Sequence, residues 1–211
     1  MKRLVAPLVI AALLAAGCSS ATASHPSSSA SELVGATGTA AGFQGVGIDP
    51  AQPRPSFQLT DAAGNPFSFA PATTGHPTLL FFGYTNCPDV CPTTMFDIGA
   101  AMRALPKALQ EQSYVVFIST DVKRDTGTVI TKWLSNFTSG TFAHFVGLRG
   151  TQAEIDAAQA AAHIQLASDG GQTHSAQVLL YGADNYARVT YLQSTNEQQQ
   201  IAHDLPMVAK A

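Results

Sequence analysis

Thr78-Leu79-Leu80-Phe81-Phe82-Gly83 runs without a charge into Tyr84-Thr85-Asn86-Cys87-Pro88-Asp89-Val90-Cys91-Pro92. A short apolar run of this kind, bounded by turn residues, reads as a central strand buried on both faces. Met95 to Leu109 follows with apolar residues at helical spacing, Ile98, Met102, Leu105 and Leu109, and Pro106 is expected to end or kink it early. Tyr114-Val115-Val116-Phe117-Ile118-Ser119 then reads as a second buried strand. Strand, helix, strand with a polar cysteine turn after the first strand is the kernel of an α/β layer.

Outward from this kernel the same logic sets the remaining elements. Upstream, Phe57-Gln58-Leu59-Thr60 and Pro66-Phe67-Ser68-Phe69 alternate apolar and polar residues around Asp61-Ala62-Ala63-Gly64-Asn65, a hairpin pattern. Downstream, helices are predicted over Asp125–Phe137 and Thr151–Ile164, the second opened by the capping pattern Thr151-Gln152-Ala153-Glu154. Gln177–Tyr181 and Arg188–Leu192 form a hairpin across Gly182-Ala183-Asp184-Asn185, and a last helix begins near Asn196. The order predicts an α/β, thioredoxin-like sandwich: a central mixed sheet flanked by helices, with an N-terminal β-hairpin.

The chain has 211 residues, 45% apolar and 12% charged, with 11 Lys+Arg against 14 Asp+Glu. It is therefore neither a disordered acidic tail nor a basic nucleic-acid binder. Lys2 and Arg3 precede an apolar run from Leu4 to Ala16 that is too short to span a bilayer, so residues 1–17 read as a signal peptide. Leu14-Ala15-Ala16-Gly17-Cys18 resembles the bacterial lipoprotein cleavage box, with Ala15 where Leu is more usual, and this resemblance implies acylation of Cys18. Between Ser19 and Gly47, 21 of 29 residues are Ser, Thr, Ala or Gly. Such a stretch cannot offset its own ordering entropy, so residues 18–47 are expected to be a flexible lipidated tether and residues 48–211 the folded domain. The expected location is outside the cell, held by the lipid at the outer face of a bacterial membrane.

With Cys18 assigned to the leader junction, Cys87 and Cys91 are the thiols of the domain. Each precedes a proline, which disfavours the α conformation, so both are expected in the turn ahead of the helix with Pro92 at its first position. There the helix dipole stabilises thiolates. Three readings of the pair are open. A disulfide closing so small a loop removes little unfolded-state entropy and is a poor staple. A thiol-disulfide oxidoreductase usually has two residues between its cysteines, not three. A soft-metal site fits because two adjacent thiolates suit Cu(I), which one imidazole completes to three-coordination. A thiol peroxidase finds no supporting motif.

Of six histidines, His25 falls in the tether, His76 at a strand entry, His144 and His163 at the ends of helical stretches and His203 in the last helix. His174 follows Gly170-Gly171 and directly precedes a predicted strand whose entry, in a thioredoxin-like sheet, lies beside the cysteine turn. A thioredoxin carries a cis-proline there; here Thr173-His174-Ser175-Ala176-Gln177 has none.

At this point the sequence resembles the Sco/SenC family of thioredoxin-fold copper chaperones that help build the binuclear copper site of cytochrome c oxidase. Four segments carry the match: Phe81 to Pro92, Asp121-Val122-Lys123-Arg124-Asp125-Thr126, Gly147-Leu148-Arg149-Gly150-Thr151, and His174-Ser175 ahead of a strand. Val122 stands where proline is usual. The resemblance implies Cys87, Cys91 and His174 as copper ligands, Cys87 and Cys91 as a redox-active pair, and Asp121 as the acidic residue of a turn facing the site. It further implies one copper ion per domain, a thiol reductant, and an acceptor that is the copper-bearing oxidase subunit or another copper acceptor. The rival reading is a membrane-tethered thiol-disulfide oxidoreductase that reduces the acceptor's cysteines.

Overall fold

The fold is that of a computed structural model in which residues 42–210 are described. The leader, Cys18 and most of the expected tether lie outside the described residues. Strand β1 is Val46–Pro53, and the hairpin β2 Gln58–Asp61 and β3 Pro66–Ser68 leads into a short helix α1, Phe69–Thr73. Then come β4 Thr78–Gly83, α2 Val90–Ala104, α3 Lys107–Glu111, β5 Tyr114–Ser119, α4 Gly127–Leu134, β6 His144–Arg149 and α5 Gln152–Ala161. The hairpin β7 Val178–Tyr181 and β8 Tyr186–Tyr191 and the helix α6 Glu197–Val208 complete the domain. Among the described residues no helix is long and apolar enough to cross a membrane.

One mixed sheet holds all eight strands in the order β1-β8-β7-β4-β5-β6-β2-β3. β4 lies inside it, parallel to β5 and antiparallel to β7, and all six of its residues are buried. Because side chains alternate across a strand, its apolar run supplies two cores at once. Leu79 and Phe81 join Met95, Ile98, Met102, Phe117, Ile130 and Ile201 on one face, whereas Leu80 and Phe82 join Phe69, Ile118, Ile155, Leu179 and Tyr181 on the other. The register Phe82 to Ile118 and Gly83 to Ser119 brings the ends of β4 and β5 level, so the segments after them share one pole of the sheet. Phe81 pairs with Val178, which delivers the segment before β7 to the same pole.

Four features depart from the expectations. β6 is a parallel neighbour of β5 that the sequence reading passes over, since Gly147 interrupts its apolar pattern. That glycine is what lets α4 close on the sheet, for a Cβ there would stand 2.3 Å from Ile130. β1 carries Pro50 and Pro53, which disguise a strand but are tolerated at the edge of a sheet. Order also begins before Ile48: Phe43 is buried, and the N–H groups of Gln44 and Gly45 donate to the buried Asp204 carboxylate at 2.8 and 2.9 Å. Finally, the helix expected from Met95 starts at Val90 and stops at Ala104, and Pro106 caps the separate turn of α3. The capping box at Thr151 and Glu154 forms as its spacing predicts, over a helix shorter by a few residues than expected.

Candidate metal centre

Gly83 ends β4 because nothing larger fits: a Cβ there would lie 2.9 Å from the Cys91 sulfur. Beyond it the chain turns, with the Cys87 N–H donating to the Tyr84 carbonyl at 3.3 Å, and enters α2 with Asp89 at the N-cap position. Cys91 therefore sits in the first helical turn and only Cys87 in the loop, which corrects the expectation that both precede the helix. Pro92 occupies the third helical position instead of the first. It is tolerated because first-turn N–H groups have no intrahelical partner in any case.

The Asp89 side chain makes no cap bond; the Cys87 sulfur takes that part, accepting from the Cys91 N–H at 3.4 Å. Burial of the Cys87 sulfur opposes ionisation, but the Cys91 and Asp89 N–H groups and the Cys91 and Tyr84 side chains outweigh it and hold the thiol below its ordinary value. Cys91 is 0% exposed, and burial pushes its thiol far above the usual range despite the Tyr84 N–H. Both cysteines are free thiols. The pair is thus unequal: a half-buried sulfur whose thiol is held below its ordinary value in front of a fully buried one whose thiol is held above it.

His174 reaches this pair from a segment of sixteen residues between α5 and β7. Its Nδ1 lies 2.8 Å from the Ser175 carbonyl oxygen, which can only accept, so Nδ1 carries the proton and Nε2 presents its lone pair. Nε2 is 3.3 Å from the Cys91 sulfur. Tyr84 and Phe81 brace the ring edge-on at centroid distances of 5.5 and 6.1 Å. Burial lowers the pKa of the imidazole, which the Ser175 carbonyl partly offsets, and so favours the neutral, ligating form. The donor atoms of Cys87, Cys91 and His174 all lie within 4.8 Å of one another. Cys87 and His174 open on a cleft of about 360 Å³ that Tyr84, Pro88, Val90 and Thr173 also line, and Cys91 lies beneath it.

Asp121 does not join them. Its carboxylate is 2% exposed and taken by Arg124, through the guanidinium Nε and through the backbone N–H at 3.2 Å. The carboxylate that supports the site is Asp125, four residues on, which sequence reasoning missed although it stands in the same motif. It accepts from the Thr85 N–H at 2.9 Å, the Thr85 hydroxyl at 2.6 Å and the Ser119 hydroxyl at 2.5 Å, tying the cysteine loop to the end of β5. Tyr84 was missed likewise; its contacts with His174 and Cys87 exist only in the fold. Cys18 lies outside the described residues.

Two thiols and an imidazole at the strand ends of a thioredoxin-like sheet define a class of protein built around a soft-metal or redox centre. Residues 46–210 match the SCO1/SenC family model, and the chain belongs to that family. A putative copper-binding protein of Stutzerimonas stutzeri is 31% identical over 64% of this chain and 66% of its own length. Other curated relatives share segments that span about half of their own length or less. Among solved structures, copper-bound ScoI of Bradyrhizobium japonicum is 32% identical with a TM-score of 0.60, covering 74% of this chain and 98% of that one. Apo Sco1 of Thermus thermophilus is 27% identical with a TM-score of 0.66, covering 82% and 99%.

Proposed function

We propose that this chain is an exported copper chaperone in which Cys87, Cys91 and His174 bind one copper ion for delivery to the binuclear copper site of cytochrome c oxidase. The observation that carries the reading is the convergence of two sulfurs and one lone-pair nitrogen within 4.8 Å. Three donors that close together need move less than about 1 Å each to reach metal–sulfur and metal–nitrogen bonds of ~2.0–2.3 Å. No carboxylate enters the donor set, so the site suits soft Cu(I) over Mg or Ca. Two thiolates and Cu(I) sum to one negative charge, which the N-terminus of α2 offsets in part. Cys87 faces the cleft, so an acceptor thiolate would displace it first and the buried Cys91 last. A disulfide between the two sulfurs would abolish binding, which makes loading depend on a thiol reductant.

The proposal includes a lipid on Cys18 and a tether that keeps the domain near a membrane-bound acceptor. Metabolic labelling with a radioactive fatty acid tests it: label is expected in the parent and absent from Cys18→Ser, and an unlabelled parent overturns the anchor. The central test is anaerobic titration of the reduced chain with copper. One ion per chain is expected, with Cys91→Ala unable to bind and His174→Ala weakened at least tenfold; equal binding by His174→Ala would refute the three-ligand scheme. The rival reading, a thiol-disulfide oxidoreductase, needs the sulfurs alone. Rapid turnover of a disulfide substrate by copper-free chain, unchanged in His174→Ala, would favour it.

A further inference from the structure

The segment that carries His174 is held to the body of the protein by few hydrogen bonds, and one of them comes from a residue with no part in the donor set. Thr120 directly follows β5 and is fully buried. Its N–H donates to the Gly83 carbonyl at 2.7 Å, which fixes the end of β4, the strand that leads to the cysteines. Its hydroxyl lies 3.1 Å from that same carbonyl and 2.6 Å from the Gly171 carbonyl. A hydroxyl has one proton, and Gly83 already receives the backbone N–H, so the shorter contact to Gly171 is the bond the hydroxyl makes.

Gly171 belongs to a tight turn closed on itself by Ser168 and Thr173, which exchange backbone bonds at 2.8 and 3.3 Å, and by Thr173 donating its hydroxyl to Asp169 at 2.8 Å. The turn lies flat against β5: Gly171 has φ +90°, and a Cβ on it would stand 1.9 Å from the Thr120 carbonyl oxygen. Among the described residues, apart from the Gln177 N–H to the Ser175 hydroxyl at the segment's own exit, the hydrogen bonds that join residues 168–176 to the rest of the protein are two, the Thr120 hydroxyl to the Gly171 carbonyl and the contact between the Cys91 sulfur and His174 Nε2. The second is the ligand contact itself. When that contact breaks, the hydrogen bond that still holds the imidazole over the sulfurs, beside the edge-on packing of Tyr84 and Phe81, is the first.

We propose that Thr120 is the positioning residue of the histidine ligand: its hydroxyl latches the His174 turn to the end of β5, and its N–H ties that end to Gly83, from which the cysteine loop leaves β4. One side chain thereby sets the distance between the two halves of the donor set, which are remote in sequence. The inference rests on the copper-binding reading for its consequence, but the latch itself is a property of the metal-free fold. Two measurements on the reduced full chain keep them apart.

The first is hydrogen exchange without metal. In Thr120→Val, which removes the hydroxyl and keeps the shape, the amides of Gly171 and Thr173 should exchange at least about tenfold faster, while those of β4 and β5 keep their protection. Unchanged exchange in the turn overturns the latch, whether or not copper binds. The second is Cu(I) competition titration of Thr120→Val, Thr120→Ser, His174→Ala and the Thr120→Val/His174→Ala double variant. Thr120→Val should weaken binding about tenfold, within the range for residues that orient a metal ligand. Thr120→Ser, which keeps the hydroxyl, should bind as the parent does. In the His174→Ala background Thr120→Val should add nothing, because Thr120 acts through that ring; an equal loss there would overturn the assignment, as would tight binding by Thr120→Val alone. Failure of the parent to bind copper would refute the function and leave the exchange result to judge the latch.

Discussion

Six residues separate Gly83 from Val90, and sixteen separate Ala161 from Val178, yet the two segments deliver their side chains to one point. The shorter one leaves a strand with every residue buried, is gripped at Thr85 by two hydrogen bonds to Asp125, which a third anchors to Ser119 of β5, and is closed by a sulfur that caps a helix. The longer one is tied to α5 at its start by the Gln159 side chain, then passes through positive φ at Asp169, Gly170 and Gly171, and its histidine-bearing part, residues 168–176, meets the body through the Thr120 bond and the ligand contact. Loop closure costs more for the longer segment and its ordering is weaker, so the sulfurs are preorganised and the imidazole is adjustable. In the proposed delivery role, where the site releases its ion, this division is useful. A rigid pair gives affinity, and a ligand on a lightly held turn gives a way out.

The largest test of that division removes a sulfur from the rigid half. Cys91→Ser keeps the shape and replaces a soft donor by a hard one that stays protonated. Copper affinity should fall by more than the ~100-fold that bounds changes in supporting residues, measured by competition titration, while His174→Ala loses less. If the two losses are equal, the halves are equally important and the contrast fails.

Next comes the grip on the cysteine loop. Asp125→Asn leaves Thr85 and Ser119 donating to an amide with one acceptor oxygen instead of a buried carboxylate with two. Hydrogen bonds to a charged group contribute ~1.5–3 kcal/mol each, and partial rescue by the amide oxygen sets the expected destabilisation at about 2–3 kcal/mol. Urea unfolding reads it directly. A change under ~0.5 kcal/mol would show that the loop is held by the helix and strand alone.

A pH effect should also fall on the rigid half. Glu197, in the first turn of α6 against the cysteine helix α2, is fully buried with neither carboxylate oxygen bonded. Burial, reinforced by Asp97 on α2, pushes its pKa up to about 7 from 4.5. The fold therefore binds a proton that the unfolded chain releases, and stability is complete below pH 4.5 and declines as pH rises through 7. The gap caps the loss at about 3 kcal/mol, and relaxation around the ionised group makes ~1–2 kcal/mol the expected value. Urea midpoints at pH 5 and pH 8 measure it, and Glu197→Gln should flatten the difference. A parent that is equally stable at both pH values would show that Glu197 has a partner the buried setting conceals.

How much of this was legible beforehand follows from the range over which each feature is encoded. The strands at 78–83 and 114–119 were plain because a strand buried on both faces is apolar at every position, and the cysteine pair because its spacing is local. β6 was hidden because Gly147 replaces an apolar side chain for the sake of a helix packed above it, and β1 because its prolines are acceptable only at an edge, which no local pattern reveals. His174 stood out by its place before a strand. Asp121 and Asp125 are both acids of one turn, and only the fold shows that the first serves Arg124 and the second serves Thr85. Thr120 gave no signal at all, since its bond to Gly171 spans 51 positions.

The smallest expected effect separates stability from affinity and so bears most closely on the adjustable half. Gly171→Ala puts a Cβ 1.9 Å from the Thr120 carbonyl at a φ of +90°, so the turn has to lift from β5. A side chain in that backbone region costs ~1–3 kcal/mol if the conformation is kept. The lightly held turn has the alternative of opening, which forfeits the Thr120 bond and little else. Global stability should therefore drop by less than ~1 kcal/mol, whereas copper affinity should fall about tenfold, toward that of His174→Ala. Unfolding and titration on one preparation give both numbers. A large loss of stability with affinity kept would mean that the turn is built into the core and that the histidine half is as rigid as the cysteine half.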